Sequence, residues 1–277
     1  AILITAFASA PRQASAEPYV QGPTFCSECH RDENKNWEET KHFKSYRTAH
    51  KAEDAKKISK AVSGKKSMKR NKSCTICHYS NDQKTPDGKA KLKYGPACES
   101  CHGASSVWEP IHFEYGGKNV KREDETPEHK TKRIADSTAA GLIWSSMNYD
   151  IAVNCMKCHG LARTDVSGEA FGKMLEAGHP INPSFEVVMF SQGLMSHWSD
   201  KRSPAKLAQL YIAGQAAKLV SATKAVANSA DAQYKAAQTK RADEAKAALQ
   251  SVPQAAALIQ SPSDDTARKM MQDIGQQ

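Results

Sequence analysis

The chain has 277 residues, room for one or two domains, and a formal charge of +9. Only 39% of the residues are hydrophobic, many of them alanine, and 7% are aromatic, too lean for side chains alone to offset the conformational entropy of so long a chain. Beyond the first residues no apolar run approaches the roughly 20 residues that span a bilayer; a basic surplus with no other feature points to a solvated surface or to nucleic acid.

Residues 1–16 form an apolar run that ends in small residues. Ala14-Ser15-Ala16 and Ala8-Ser9-Ala10 both have the A-x-A form of a signal-peptidase site. The stretch reads as a truncated signal peptide and the chain as exported. Residues 17–50 open with Cys26-Ser27-Glu28-Cys29-His30. The polar run from Arg31 to Lys51 reads as one helix, with His42 and His50 eight residues apart on about the same side. Residues 51–72 are strongly basic and read as a helix followed by an exposed loop at Gly64, with a docking patch as the alternative.

Residues 73–115 hold Cys74-Thr75-Ile76-Cys77-His78, then nineteen residues, then Cys98-Glu99-Ser100-Cys101-His102, and end at Trp108 and His112. Residues 116–150, with Gly116-Gly117 and Pro127 as breakers, read as loop-rich and contain His129. Residues 151–200 hold Cys155-Met156-Lys157-Cys158-His159, Gly178-His179-Pro180, Phe185 and His197-Trp198. No stretch shows a strand-like alternation. After Pro204 cysteine and histidine vanish and alanine dominates. Ile212, Ala216, Leu219, Val220, Thr223 and Val226 repeat at helical spacing, and a second helix runs from about Asp231 to Gln250, stopped by Pro253. Ser263 with Asp264 and Asp265 resembles an N-cap with acids in the first turn. Residues 204–277 thus read as a helical hairpin plus a tail helix, packed over a domain of residues 17–203.

The four C-x-x-C-H units are attachment sequences for c-type haem: two thiols add to the porphyrin vinyl groups and the histidine ligates the iron. All eight cysteines fall inside them, which leaves none for a disulfide. Zinc sites built from C-x-x-C pairs have no need of a histidine after each pair, and a redox dithiol would occur once. Four covalent haems are expected, on Cys26/Cys29, Cys74/Cys77, Cys98/Cys101 and Cys155/Cys158, with His30, His78, His102 and His159 as proximal ligands. The short connection between the second and third motifs requires their haems to be close. The rings supply much of the missing core. With their propionates ionised, four haems bring a net charge of roughly −4 to −8, which cancels most of the basic surplus and argues against nucleic acid.

Of ten histidines, the four motif residues leave six for distal positions: His42, His112 and His179 first, then His50, His129 and His197. A second imidazole makes an iron six-coordinate and low-spin; methionine is the other common ligand, but no methionine is tied to the motifs.

Cys26–His30 followed by Trp37, Thr40 and His42 resembles the opening of the cytochrome c-554 family of tetrahaem cytochromes. So does Cys98-Glu99-Ser100-Cys101-His102-Gly103 with His112 ten residues on. The resemblance covers roughly residues 20–160. It implies a mainly α fold with extensive irregular loops and stacked haems, shared in outline with hydroxylamine oxidoreductase and the pentahaem nitrite reductases. It implies His42 on the haem of the third motif and His112 on that of the first; the second-motif haem is five-coordinate in the type member. His179, twenty residues past His159, is then the choice for the fourth haem. Gly178-His179-Pro180, Phe185, His197-Trp198 and Gly214-Gln215 resemble a segment of other periplasmic multihaem cytochromes.

The expected function is electron transfer through closely spaced haems in respiration, rather than an enzyme. Partners would be other cytochromes, a reductase or a quinol-oxidising complex, and the location the periplasm, with the cell exterior as alternative. Two other readings are a subunit of an extracellular cytochrome filament and a reductase of a small nitrogen or sulfur oxide at one open haem. A fold class does not choose among these.

Overall fold

The structure is a computed structural model in which residues 17–182, 185–191 and 202–275 are described. The expected signal peptide and His197 lie outside these residues. The chain is mainly helical. It begins with α1 (Pro23–Cys26), α2 (Arg31–Glu38) and α3 (Lys41–Thr48). The single helix expected from Arg31 to Lys51 is broken at Thr40. This residue is extended (φ −74°, ψ 162°), accepts a bond from Phe43 N (3.2 Å) and donates to Trp37 O (2.7 Å), so a threonine cap starts a new helix where continuation was expected. A 3-10 turn, Ala49–Lys51, follows and carries His50.

The basic stretch forms α4 (Ala55–Ser63), closed by Gly64 in the left-handed region at φ 71°. Next come α5 (Lys72–His78) and a two-stranded antiparallel ribbon, β1 (Ser80–Asp82) and β2 (Lys91–Tyr94), with Asn81 opposite Leu92. These strands are too short for alternation to stand out in the sequence. A Cβ on Gly95 would stand 1.9 Å from His42 O, so the missing side chain is what lets the end of the ribbon meet α3.

After α6 (Cys98–His102) and α7 (Glu109–His112), the region expected to be loop-rich contains α8 (Pro127–Ala139). Thr126 accepts from His129 N at 3.2 Å and Pro127 takes the first helical position. A proline there sacrifices no helix bond, so it starts the helix instead of breaking the chain.

The fourth motif ends α9 (Asn148–His159), followed by α10 (Gly168–Glu176) and α11 (Val187–Ser191). The C-terminal layer is α12 (Pro204–Ala227), α13 (Ala232–Leu249), α14 (Ala256–Gln260) and α15 (Asp264–Asp273). Side chains of Ser203, Asp231 and Ser263 cap α12, α13 and α15. The largest apolar core joins Tyr149, Ala152 and Met156 of α9 to Leu219, Leu249, Leu258 and Met270, so the helix bearing the fourth motif is embedded in this layer. The α12–α13 turn rests on α10, where a Cβ on Gly172 would stand 2.1 Å from the Asp231 carboxylate. Among the described residues no helix is long and apolar enough to cross a membrane.

Candidate haem-binding centres

One helical turn places residues i, i+3 and i+4 on one face, which is the spacing of the two cysteines and the histidine in each motif. The second, third and fourth motifs lie on α5, α6 and the end of α9; the first turns helically from α1, with His30 N bonded to Cys26 O at 2.9 Å. The flanks fix these turns. Asn71 caps α5, accepting from Ser73 N (3.2 Å), while its buried amide donates to Ser59 O and Oγ (3.2 Å each). His102 Nδ1 lies 2.8 Å from Ile143 O, the arrangement that leaves Nε2 for a metal. Trp37 Nε1 donates to Pro96 O at 2.9 Å, tying α2 to the start of the third motif.

The motifs also meet one another. The neighbouring Cys98 thiol, then burial, push the Cys26 thiol far up, and the Cys158 thiol, then burial, do the same to Cys77. Asn154 Nδ2 of α9 donates to Cys101 O at 2.8 Å. These contacts run from first to third, third to fourth and fourth to second. The second and third motifs, expected to be close, are linked by Ser80 and Ser100, whose hydroxyls are 3.1 Å apart.

Three spare histidines face three motif histidines. Ring centroids are 6.3 Å apart for His30 and His112, 6.1 Å for His78 and His179, and 5.9 Å for His42 and His159. Two imidazoles on opposite sides of one metal, each bonded at about 2 Å, put their centroids about 6 Å apart. Burial lowers the pKa of His42, His112 and His179, and takes His78 and His159 to about 4. All five are thus neutral near pH 7, the form that binds iron. The cysteine spacing and the imidazole pairs fit covalently attached, axially ligated haem.

Two partners differ from expectation. His42 faces His159, not His102, because Thr40 starts a separate helix and Gly95 admits α3 against the ribbon. His179 faces His78, not His159: Gly178 (φ 96°) ends α10, and His179 N bonds to Met174 O at 2.8 Å, which turns the ring away from its neighbour in sequence. Phe185 instead lies flat on His159, with centroids 4.2 Å apart and an interplanar angle of 2°.

Both ring nitrogens of His129 face carboxylates. Nδ1 is 2.8 Å from Glu125 Oε1 and Nε2 is 3.0 Å from Glu114 Oε2. Two carboxylates can be served only by a ring protonated on both nitrogens, and the hydrogen bond to Glu125 is the main reason its pKa is raised. Glu125 in turn holds Arg133 through two bonds of 2.7 and 2.6 Å, and Arg133 donates to His112 O at 2.7 Å. His129 thus braces a candidate ligand from behind. His50 Nδ1 is buried with no hydrogen-bond partner among the described residues. Arg133 and Glu125 support the site without a sequence pattern that assigns them to it; their roles arise only from packing.

Helical turns that present two thiols and an imidazole on one face, with further imidazoles opposite, define a c-type cytochrome. Residues 25–103 match the family model of cytochrome c554 and c-prime. This match spans the first three motifs, agrees with the resemblance noted above, and supports a c-type cytochrome of electron transfer with covalently bound haem c. No curated protein and no solved structure matches the chain.

Proposed function

We propose that the chain is an exported tetrahaem electron carrier that works between respiratory redox partners in the periplasm. The supporting observation is the set of three imidazole pairs 5.9–6.3 Å apart, each made of one motif histidine and one spare. The cysteines anchor the haems, the paired histidines saturate the irons, and saturation limits both reorganisation and substrate access. The axial pairs are His30 with His112, His78 with His179, and His159 with His42. His102 is the proximal ligand of the remaining haem, for which His50 and His197 are the candidate partners. The order first, third, fourth, second gives electrons a continuous route.

Intact-mass measurement and low-temperature electron paramagnetic resonance test this reading. Four haems and at least three low-spin signals are expected. Fewer than four haems after expression with the maturation machinery, or two or more high-spin irons, would overturn it. His42→Ala should convert the haem of Cys155/Cys158, not that of Cys98/Cys101; a change at the latter would restore the assignment implied by the family resemblance.

A further inference from the structure

Two charged side chains are buried next to adjacent motifs without a salt-bridge partner among the described residues. Glu99, between the cysteines of the third motif, is 7% exposed. Its carboxylate accepts from Gln21 N (3.0 Å), Gly22 N (2.8 Å) and Ser105 N (2.8 Å), and from the Ser105 hydroxyl. Three backbone N–H groups thus converge on its two oxygens, donors suited to a carboxylate, and the Ser105 hydroxyl lies between it and Gln21 Oε1 (2.8 Å). Arg241, on α13, is 4% exposed. Its guanidinium donates to Gly160 O (3.0 Å) and Gln238 Oε1 (2.7 Å) and lies 3.2 Å from Met156 Sδ.

Gly160 directly follows His159, and a Cβ there would stand 2.3 Å from Arg241 Nη2. A bare glycine thus seats the cation behind the fourth motif. Burial brings Arg241 down to about 10, which leaves it charged at neutral pH. The middle of the motifs repeats the contrast, with Glu99 in the third and Lys157 in the fourth.

A buried charge acts through a low dielectric and is poorly screened. An anion near an iron favours the ferric state and a cation the ferrous state; local charge is one of the determinants of haem potential. The third and fourth motifs are neighbours through Asn154 and Cys101, so the two charges bias a single transfer step.

We infer that Glu99 and Arg241 polarise the electron route, lowering the potential of the third-motif haem and raising that of the fourth, so that electrons entering at the first and third motifs settle toward the fourth and second. This rests on the tetrahaem reading, and haem counting separates the two failures: a variant short of haem speaks against that reading, whereas one with four haems and unmoved potentials speaks against the polarity alone.

The experiment is a redox titration of the holoprotein followed by optical and paramagnetic resonance spectra, with haem content checked by intact mass. Glu99→Gln should move one haem positive. Arg241→Gln, which can still donate to Gly160 O, should move a different haem negative, the one whose signal His42→Ala converts. Each shift should change the equilibrium electron distribution on the order of tenfold, about 59 mV for one electron. Arg241→Lys keeps the charge and should leave the potential near the parental value. Unmoved potentials, both variants acting on one haem, or Arg241→Lys behaving like Arg241→Gln would each overturn the inference. Should Arg241→Gln not fold, Gly160→Ala serves: the added Cβ would stand 2.3 Å from Arg241 Nη2 and displaces the guanidinium. The fourth-motif haem should then move negative, and no shift would count against the Arg241 half.

Discussion

Residues 25–103 and the layer from Pro204 to Gly275 are held together by different means. In the first region the buried side chains include Thr40, Ser59, Asn71, Ser80, Asp82 and Glu99, and its own apolar cluster is only Ala55, Met68, Cys74 and Tyr79. In the second, leucines, methionines and closely packed alanines from three helices and α14 bury one another and one face of α9. Polar caps can position a helical turn, but they contribute little net stability; apolar burial is what opposes chain entropy. The first region is therefore shaped to be completed by its haems, and the second is complete in itself. The fourth motif joins the two, since α9 carries it, donates to Cys101 O through Asn154 and is packed by α12.

The sharpest way to break this comparison is to withhold the haems. In protein made without the maturation machinery, backbone amides of residues 25–103 should exchange with solvent rapidly, while those of α12 and α13 keep substantial protection. Hydrogen exchange read by mass spectrometry resolves the two regions in one experiment. Equal loss of protection in both would mean that the C-terminal layer also depends on the cofactors.

Next in size is the apolar core of the layer. Leu219 is fully buried, so Leu219→Ala should destabilise the holoprotein by about 2–5 kcal/mol, measured by denaturant titration. The spectra of the haems on the first three motifs should stay parental, because the cluster holding Leu219 includes residues of the fourth motif alone. Asn71→Ala should invert this pattern. It removes the cap of α5 and one of the donors to the buried Ser59 carbonyl, at a cost of about 1–3 kcal/mol. Its spectral change should be confined to the haem of Cys74/Cys77.

How much of this the sequence discloses follows from where the constraint lies. The motif cysteines and histidines are legible because thioether chemistry requires one helical turn. The hairpin, and the helix beginning at Asp264, are legible because spacing and caps are local. Partner histidines are not, since a facing imidazole depends on tertiary approach: Gly95 admits His42, and Gly178 swings His179 toward His78. Pro127 shows a signal that is local and still ambiguous. As a breaker it suggests a loop, but after Thr126 it is the first residue of a helix. Glu99 and Arg241 are legible only as charged residues, because their burial and their partners come from segments far apart in the chain.

The smallest expected effect concerns the brace behind His112, and its pH dependence carries a definite sign. Arg133, then His129, hold the Glu125 carboxyl down to about 2. Its stabilising contribution is present above the ordinary glutamate range and is lost as pH falls toward 2. His129 is shifted the other way, raised chiefly by Glu125, so its contribution is full below about 6.5, the unperturbed value, and fades as pH rises through the raised one. His129→Gln should therefore lower Tm most at pH 5–6 and progressively less as pH rises through the raised value, where the parental ring loses its second proton and can donate to only one of its two carboxylates. Thermal unfolding of both proteins between pH 5 and 9 tests this. A Tm difference that persists unchanged at pH 9 would mean that shape, not charge, holds His129 in place. A difference that grows with pH would contradict the protonated ring and reopen His129 as a candidate ligand.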